Sequence, residues 1–166
     1  MRNGLHVQCN IRPLAVAVLC ASALCLAPAC SAIDAQVGDL VADCSDADSA
    51  PGATVSFKDQ IRPLFSGLAP GVKGCNTCHY PGVGTQAGLA QSGLDLSSLG
   101  ALRKGGRVTG DAIVVPGRPC SSGIVKKLRG VAPGARMPKD GPFWTPEQIQ
   151  LVKDWIAEGA RGEATE

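Results

Sequence analysis

Cys75-Asn76-Thr77-Cys78-His79 decides how the rest of this chain is read. Two thiols three positions apart reach two vinyl groups on one edge of a porphyrin, and the imidazole after the second thiol then falls under the iron. On this reading Cys75 and Cys78 form covalent thioethers to one haem c, and His79 is its proximal ligand. Two other chemistries use a C-x-x-C pair. A structural zinc needs a second pair of Cys or His ligands. Yet no second C-x-x-C exists, and the other histidine, His6, lies at the start of the chain. A thioredoxin-like dithiol sits between a strand and a helix of a βαβ unit, and no such pattern flanks Cys75.

The 166 residues suffice for one ordinary domain plus a leader. Aromatic residues make up only 4%, while glycine (21) and proline (12) are abundant. A core with so few rings is thin, and a buried porphyrin supplies the missing apolar bulk. The alternative is a loop-rich domain that depends on disulfides. Charge is nearly balanced, with Lys+Arg 16 against Asp+Glu 14 and two of the bases, Arg2 and Arg12, close to the N-terminus. It is unevenly placed. Asp34, Asp39, Asp43, Asp46, Asp48 and Asp59 crowd the front, and most bases lie between Arg103 and Lys139. Those cations suit haem propionates or a partner, or simply form a solvated face. No nucleic-acid reader motif is present, so nucleic acid is not an expected partner.

Residues 1–29 read as a signal peptide. Arg2 and Arg12 form the positive start, Leu14 to Ala27 the apolar stretch, and Ala27-Pro28-Ala29 a small-x-small cleavage site. The stretch is too short to span a bilayer comfortably. Cys30 follows directly, as in a bacterial lipobox, where the cysteine is lipidated and becomes the new first residue; ordinary cleavage would instead leave it as a free thiol. Cysteine parity favours the lipid. Cys9, Cys20 and Cys25 leave with the leader and Cys75 and Cys78 take haem, so a lipidated Cys30 leaves Cys44 and Cys120 as an even pair. A bridge between them closes a long loop, worth about 4 kcal/mol by chain entropy; two separate buried thiols are the alternative. Residues 30–55, rich in Asp, Ala, Gly and Ser, read as a lipid-anchored or flexible acidic tether.

Residues 56–162 form the expected domain, and 163–166 a tail. Phe57, Ile61, Leu64, Phe65 and Leu68 recur at helical spacing behind a capping Ser56, with Pro63 set to kink or break the helix. The stretch from Tyr80 to Gly93 reads as a glycine-rich loop. Short helices are expected near Ser98 to Arg103 and over Pro119 to Arg129, and an irregular segment from Val131 to Phe143. The last helix is the plainest: Thr145 caps it, Pro146 takes its first position, Gln148 completes a capping box, and Ile149, Val152, Trp155 and Ile156 line one face. No run suggests a substantial sheet.

A six-coordinate haem iron takes Met or a second His opposite the proximal one. With the leader removed, Met137 is the only methionine and no spare histidine remains, so Met137 is the candidate distal ligand. An ordinary gap-filling role is the competing reading of a lone Met. Lysine, water or an open position would replace it as ligand.

Beyond the pentapeptide, Phe57-Lys58-Asp59-Gln60-Ile61-Arg62-Pro63-Leu64-Phe65, Leu94-Asp95-Leu96-Ser97, Val115-Pro116-Gly117-Arg118-Pro119, Arg136-Met137-Pro138 and Trp155-Ile156-Ala157-Glu158-Gly159-Ala160 resemble small bacterial cytochrome c domains. The pattern is most similar to the planctomycete-type cytochrome c domain and runs from Ser56 to Gly162. The resemblance implies an all-α, class I cytochrome c-like fold, with first and last helices crossing beside the haem. Phe57, Ile61, Leu64 and Trp155 would pack at that crossing, and Trp155 would serve either as haem wall or as plain core. Cys44 and Cys120 are not part of the pattern.

The expected function is single-electron transfer by a mono-haem protein of the bacterial cell envelope, an electron carrier rather than a catalyst. Its partners would be redox donor and acceptor proteins, with the membrane reached through a lipid on Cys30. The alternatives are a peroxidase-like enzyme or sensor with an open iron position, and a haem-stabilised binding module of a surface complex.

Overall fold

The computed structural model describes residues 43–166. The expected signal peptide, Cys30 with its expected lipid, and the first part of the expected tether lie outside the described residues. Within those residues every regular element is helical and none is a strand, as the all-α reading requires.

The first helical segment shows how one proline shapes a fold. Ser56 accepts a hydrogen bond from the Asp59 amide and opens the segment. Phe57–Ile61 winds as a wider π turn, and α1 (Arg62–Ser66) follows with Pro63 near its start. Pro63 has no N–H to give to the preceding turn, so the wide turn falls where the regular ladder fails. Gly67 ends α1 at φ +72°, where only glycine is at ease, and its N–H returns to Leu64.

Three short helices follow: α2 (Asn76–His79), α3 (Ala87–Ser92) and α4 (Leu99–Lys104). The second corrects the expectation of an unbroken loop from Tyr80 to Gly93. It is entered through Gln86 in the left-handed region and has no side-chain cap. The expected helix over Pro119–Arg129 is divided into a 3-10 turn (Pro119–Ser121) and α5 (Gly123–Arg129). Ser122 makes the division: its fully buried hydroxyl donates to the Arg118 carbonyl (3.0 Å) and accepts from the Val115 amide (2.8 Å). The last helix, α6 (Pro146–Ala157), starts with both halves of the capping box that Thr145 and Gln148 predict.

The core gathers where the first segment meets α6. Phe57 lies 5.2 Å from Trp155, ring centre to ring centre, and meets Phe65 edge-on at 6.4 Å. Ile61, Phe65, Val152, Trp155 and Ile156 are fully enclosed, and Leu64 joins the same cluster. Trp155 donates its indole N–H to the Arg161 carbonyl at 2.8 Å. Protein atoms alone cover this ring, so of its two expected roles the structure supports core packing.

Both ends of the described chain are docked. Cys44 and Cys120 are joined by a disulfide, with Cα atoms 5.6 Å apart. Asp46 accepts from the Cys120 amide at 2.7 Å, and Gln150 donates to the Asp48 carbonyl at 2.9 Å. Asp154 and Glu158, one turn apart near the end of α6, accept the amides of Ala50 (2.8 Å) and Val55 (2.9 Å). The stretch from Cys44 to Val55, read from composition as the second half of a tether, is thus held along α6. At the other end, carbonyls of Ala164 and Glu166 cap the amides of Gly100 and Leu99 at 2.8 Å, so residues 163–166 close the start of α4 rather than trail free.

Candidate haem site

The pentapeptide is delivered by a close backbone approach. Gly74 runs against Gly67, and a Cβ on Gly74 would collide with the Gly67 amide nitrogen. This brings the Cys75 amide within 2.6 Å of the Phe65 carbonyl, which ties the motif to α1. The four residues after Cys75 then turn as α2, with the His79 amide bonded to the Cys75 carbonyl at 2.8 Å. One helical turn sets the two thiols and the imidazole on a common short scaffold.

His79 is held at ring and backbone by one segment. Its Nδ1 lies 3.0 Å from the Leu94 carbonyl, and its own carbonyl accepts from the Leu96 amide at 3.1 Å. A carbonyl only accepts, so Nδ1 carries the proton, and in the neutral ring the lone pair is left on Nε2. That is the tautomer a metal-ligating histidine needs, with its second nitrogen oriented by a carbonyl. Against Nε2 lies Gly88 of α3, where a Cβ would sit 2.5 Å away. The helix missed in the sequence therefore lays a residue without a side chain over the face of the His79 ring, close to Nε2. A glycine facing an imidazole across nine residues leaves no periodic signal, so it escaped the sequence reading.

Cys75 and Cys78 are both free and half-buried. Burial, and then the neighbouring Cys78, pushes the Cys75 thiol up to about 12. Cys78 Sγ lies 3.7 Å from the Thr85 hydroxyl. Tyr80, directly after the motif, is also pushed up to about 12, first by burial, then by Cys75 and Asp95, against an opposing Arg62. Its hydroxyl is buried without a hydrogen-bond partner among the described residues.

Met137 occupies the irregular loop between α5 and α6 and is half-buried. Its amide donates to the Lys127 carbonyl at 3.0 Å, and the Met137–Pro138 bond is cis. Arg136 reaches back to the Leu128 carbonyl at 2.9 Å and lays its guanidinium over the Phe143 ring at 4.3 Å. The sequence stretch ahead of the pentapeptide meets this loop directly. Lys73 Nζ donates to the carbonyls of Lys139 and Gly141, each at 2.7 Å, while the Lys73 carbonyl accepts from Trp144 Nε1 at 2.9 Å. Trp144 in turn stacks on Phe65 at 5.7 Å.

The donor set fits a c-type haem: two unbridged thiols, an imidazole in the ligating tautomer, a glycine in place of a side chain beside Nε2, and an unpartnered buried hydroxyl one residue on. It fits the competing chemistries poorly. Among the described residues no three His, Cys, Asp or Glu side chains converge as a zinc site would require. The pentapeptide lies on an isolated helical turn rather than in a βαβ unit.

No curated protein and no solved structure matches the chain. Over residues 75–141, from the first cysteine of the pentapeptide to the loop beyond Met137, the chain matches the family model described as Planctomycete cytochrome C.

Proposed function

We propose that this protein is a mono-haem c-type cytochrome that passes single electrons between redox proteins of the bacterial cell envelope. Cys75 and Cys78 would hold the haem through thioethers, His79 Nε2 would ligate the iron, and Met137 would be the opposite ligand. A bound haem supplies an iron that cycles between ferrous and ferric states. The hydrogen bond from His79 Nδ1 to the Leu94 carbonyl carries this reading. It aims one nitrogen at a metal and keeps the ring from turning, which limits reorganisation between oxidation states.

The rest of the site supports a carrier. The Met137 backbone is pinned to Lys127, and the loop around it is bonded to the segment ahead of Cys75, which suits two ligands that stay in place in both oxidation states. A thioether ligand favours the reduced iron and raises the potential. Export, and a lipid on Cys30, would place the domain at the envelope, where oxidising conditions also suit the Cys44–Cys120 bridge.

Absorption spectra of the matured protein in both oxidation states test the assignment. The expected result is a low-spin haem with a methionine-to-iron band, lost in Met137→Ala. A parent spectrum that survives this change would remove Met137 from the iron. A high-spin resting protein would favour the open-site enzyme or sensor.

A further inference from the structure

We propose that Lys73 is a positioning residue that keeps the Met137 loop closed over the iron, acting through the two carbonyls it bridges. This rests on the assignment of Met137 as ligand.

Three polar links join the two segments. From Lys73 the ammonium grips the carbonyls of Lys139 and Gly141, two and four residues beyond Met137. In the reverse direction the Lys73 carbonyl takes the indole N–H of Trp144. Trp144 and the chain after Lys73 are each anchored independently of the ammonium. Trp144 is only 3% exposed and stacks on Phe65, whose carbonyl holds the Cys75 amide at 2.6 Å. Gly74 fixes the chain after Lys73 against Gly67. The Met137 loop and the Cys75 end of the pentapeptide are therefore fastened to the same point of α1.

Lys127 holds the first half of the loop at the Pro133 and Ala135 carbonyls, and Lys73 holds the second half. From Val131 to Thr145 no regular secondary structure forms, so no helical ladder holds its carbonyls. Those of Lys139 and Gly141 point to one cation, and a lysine with three donors satisfies both at once. An ammonium bonded to two carbonyls is a charge-assisted contact, stronger than a neutral one and specific to a loop that presents both oxygens together. Lys73 itself is exposed, so its side chain adds little to the core and its removal should leave the fold intact.

The test uses the haem-loaded full chain. Imidazole competes with Met137 for the ferric iron, and its apparent affinity rises with the population of open loop. Lys73→Leu keeps an aliphatic side chain, removes the donors and adds no ligand for iron. Its imidazole affinity should rise about tenfold, and amide exchange over residues 137–144 should quicken by a similar factor. Lys73→Arg should restore both values towards the parent. Trp144→Phe, which keeps the stack on Phe65 and loses the indole donor, should shift both in the same direction by less. Unchanged imidazole affinity in Lys73→Leu would overturn the proposal, as would faster exchange with no gain in imidazole binding. Met137→Ala separates the two readings. If that variant keeps the parent spectrum and parent imidazole affinity, the ligand assignment has failed; if it does not, an inert Lys73→Leu is a failure of the clamp alone.

Discussion

The crossing of the first helical segment with α6 and the pentapeptide side of the molecule are built in opposite ways. At the crossing, Phe57, Ile61, Phe65, Trp155 and Ile156 are buried to 3% exposure or less, and side-chain packing does the holding. On the other side, Cys75, Cys78, His79 and Met137 are each half-buried, the helices at the motif, α2 and α3, run four to six residues, and the backbone is held by carbonyls, glycines and the amines of Lys73 and Lys127. Helices that short are not stable by themselves. A protein puts such a surface beside a rigid core when something else is to complete it, and a porphyrin has the apolar area to do so.

Three variants bear on this contrast. The largest effect belongs to the core. Trp155→Ala removes the ring that packs on Phe57 and should cost about 3–5 kcal/mol in denaturant unfolding, while the spectrum of the molecules that remain folded stays that of the parent. A spectral change as large as the loss of stability would mean that Trp155 acts on the haem after all. Next comes the bridge between strap and domain. Replacing Cys44 and Cys120 together by alanine frees a loop spanning 76 positions and should lower stability by about 2–4 kcal/mol. Again no movement of the iron spectrum is expected. The smallest loss of stability belongs to Gly88→Ala on the site side, about 1–3 kcal/mol for an overpacked contact. Yet here the spectrum should change, because the new methyl meets His79 Nε2. Were Gly88→Ala spectrally silent and Trp155→Ala not, the division into a packing half and a chemical half would have to be reversed.

The two halves also differed in how far they could be read from sequence. Packing leaves periodic traces, so the faces of the first segment and of α6 were legible, as was the capping box at Thr145. The C-x-x-C-H pentapeptide stands out because the chemistry proposed for it requires that spacing. What stayed hidden was whatever depends on contacts between distant backbone groups. Gln86 enters α3 without a cap, and that helix carries one large apolar residue, Leu89, so nothing separated it from a glycine-rich loop. The stretch from Cys44 to Val55 has the composition of a tether, yet it is fastened by Asp154 and Glu158 through their carboxylates to its backbone, which no side-chain pattern in the stretch itself reports. Lys73 carries no signal in the sequence, because the loop carbonyls it reaches lie 66 and 68 positions further on. The division of the Pro119–Arg129 segment at Ser122 is of the same kind, since the serine bonds back to Arg118 and across to Val115.

The strap over α6 has a mechanical consequence. Cys44 is fastened covalently to Cys120, and the amides of Ala50 and Val55 are fastened to the last helix. A pull on the chain ahead of Cys44 is therefore borne by the sulfur–sulfur link before it can unzip the stretch leading to Ser56. The tension enters the polypeptide at Cys120, well along the chain from His79, so a domain tugged by its leading end need not strain the turn that carries the imidazole.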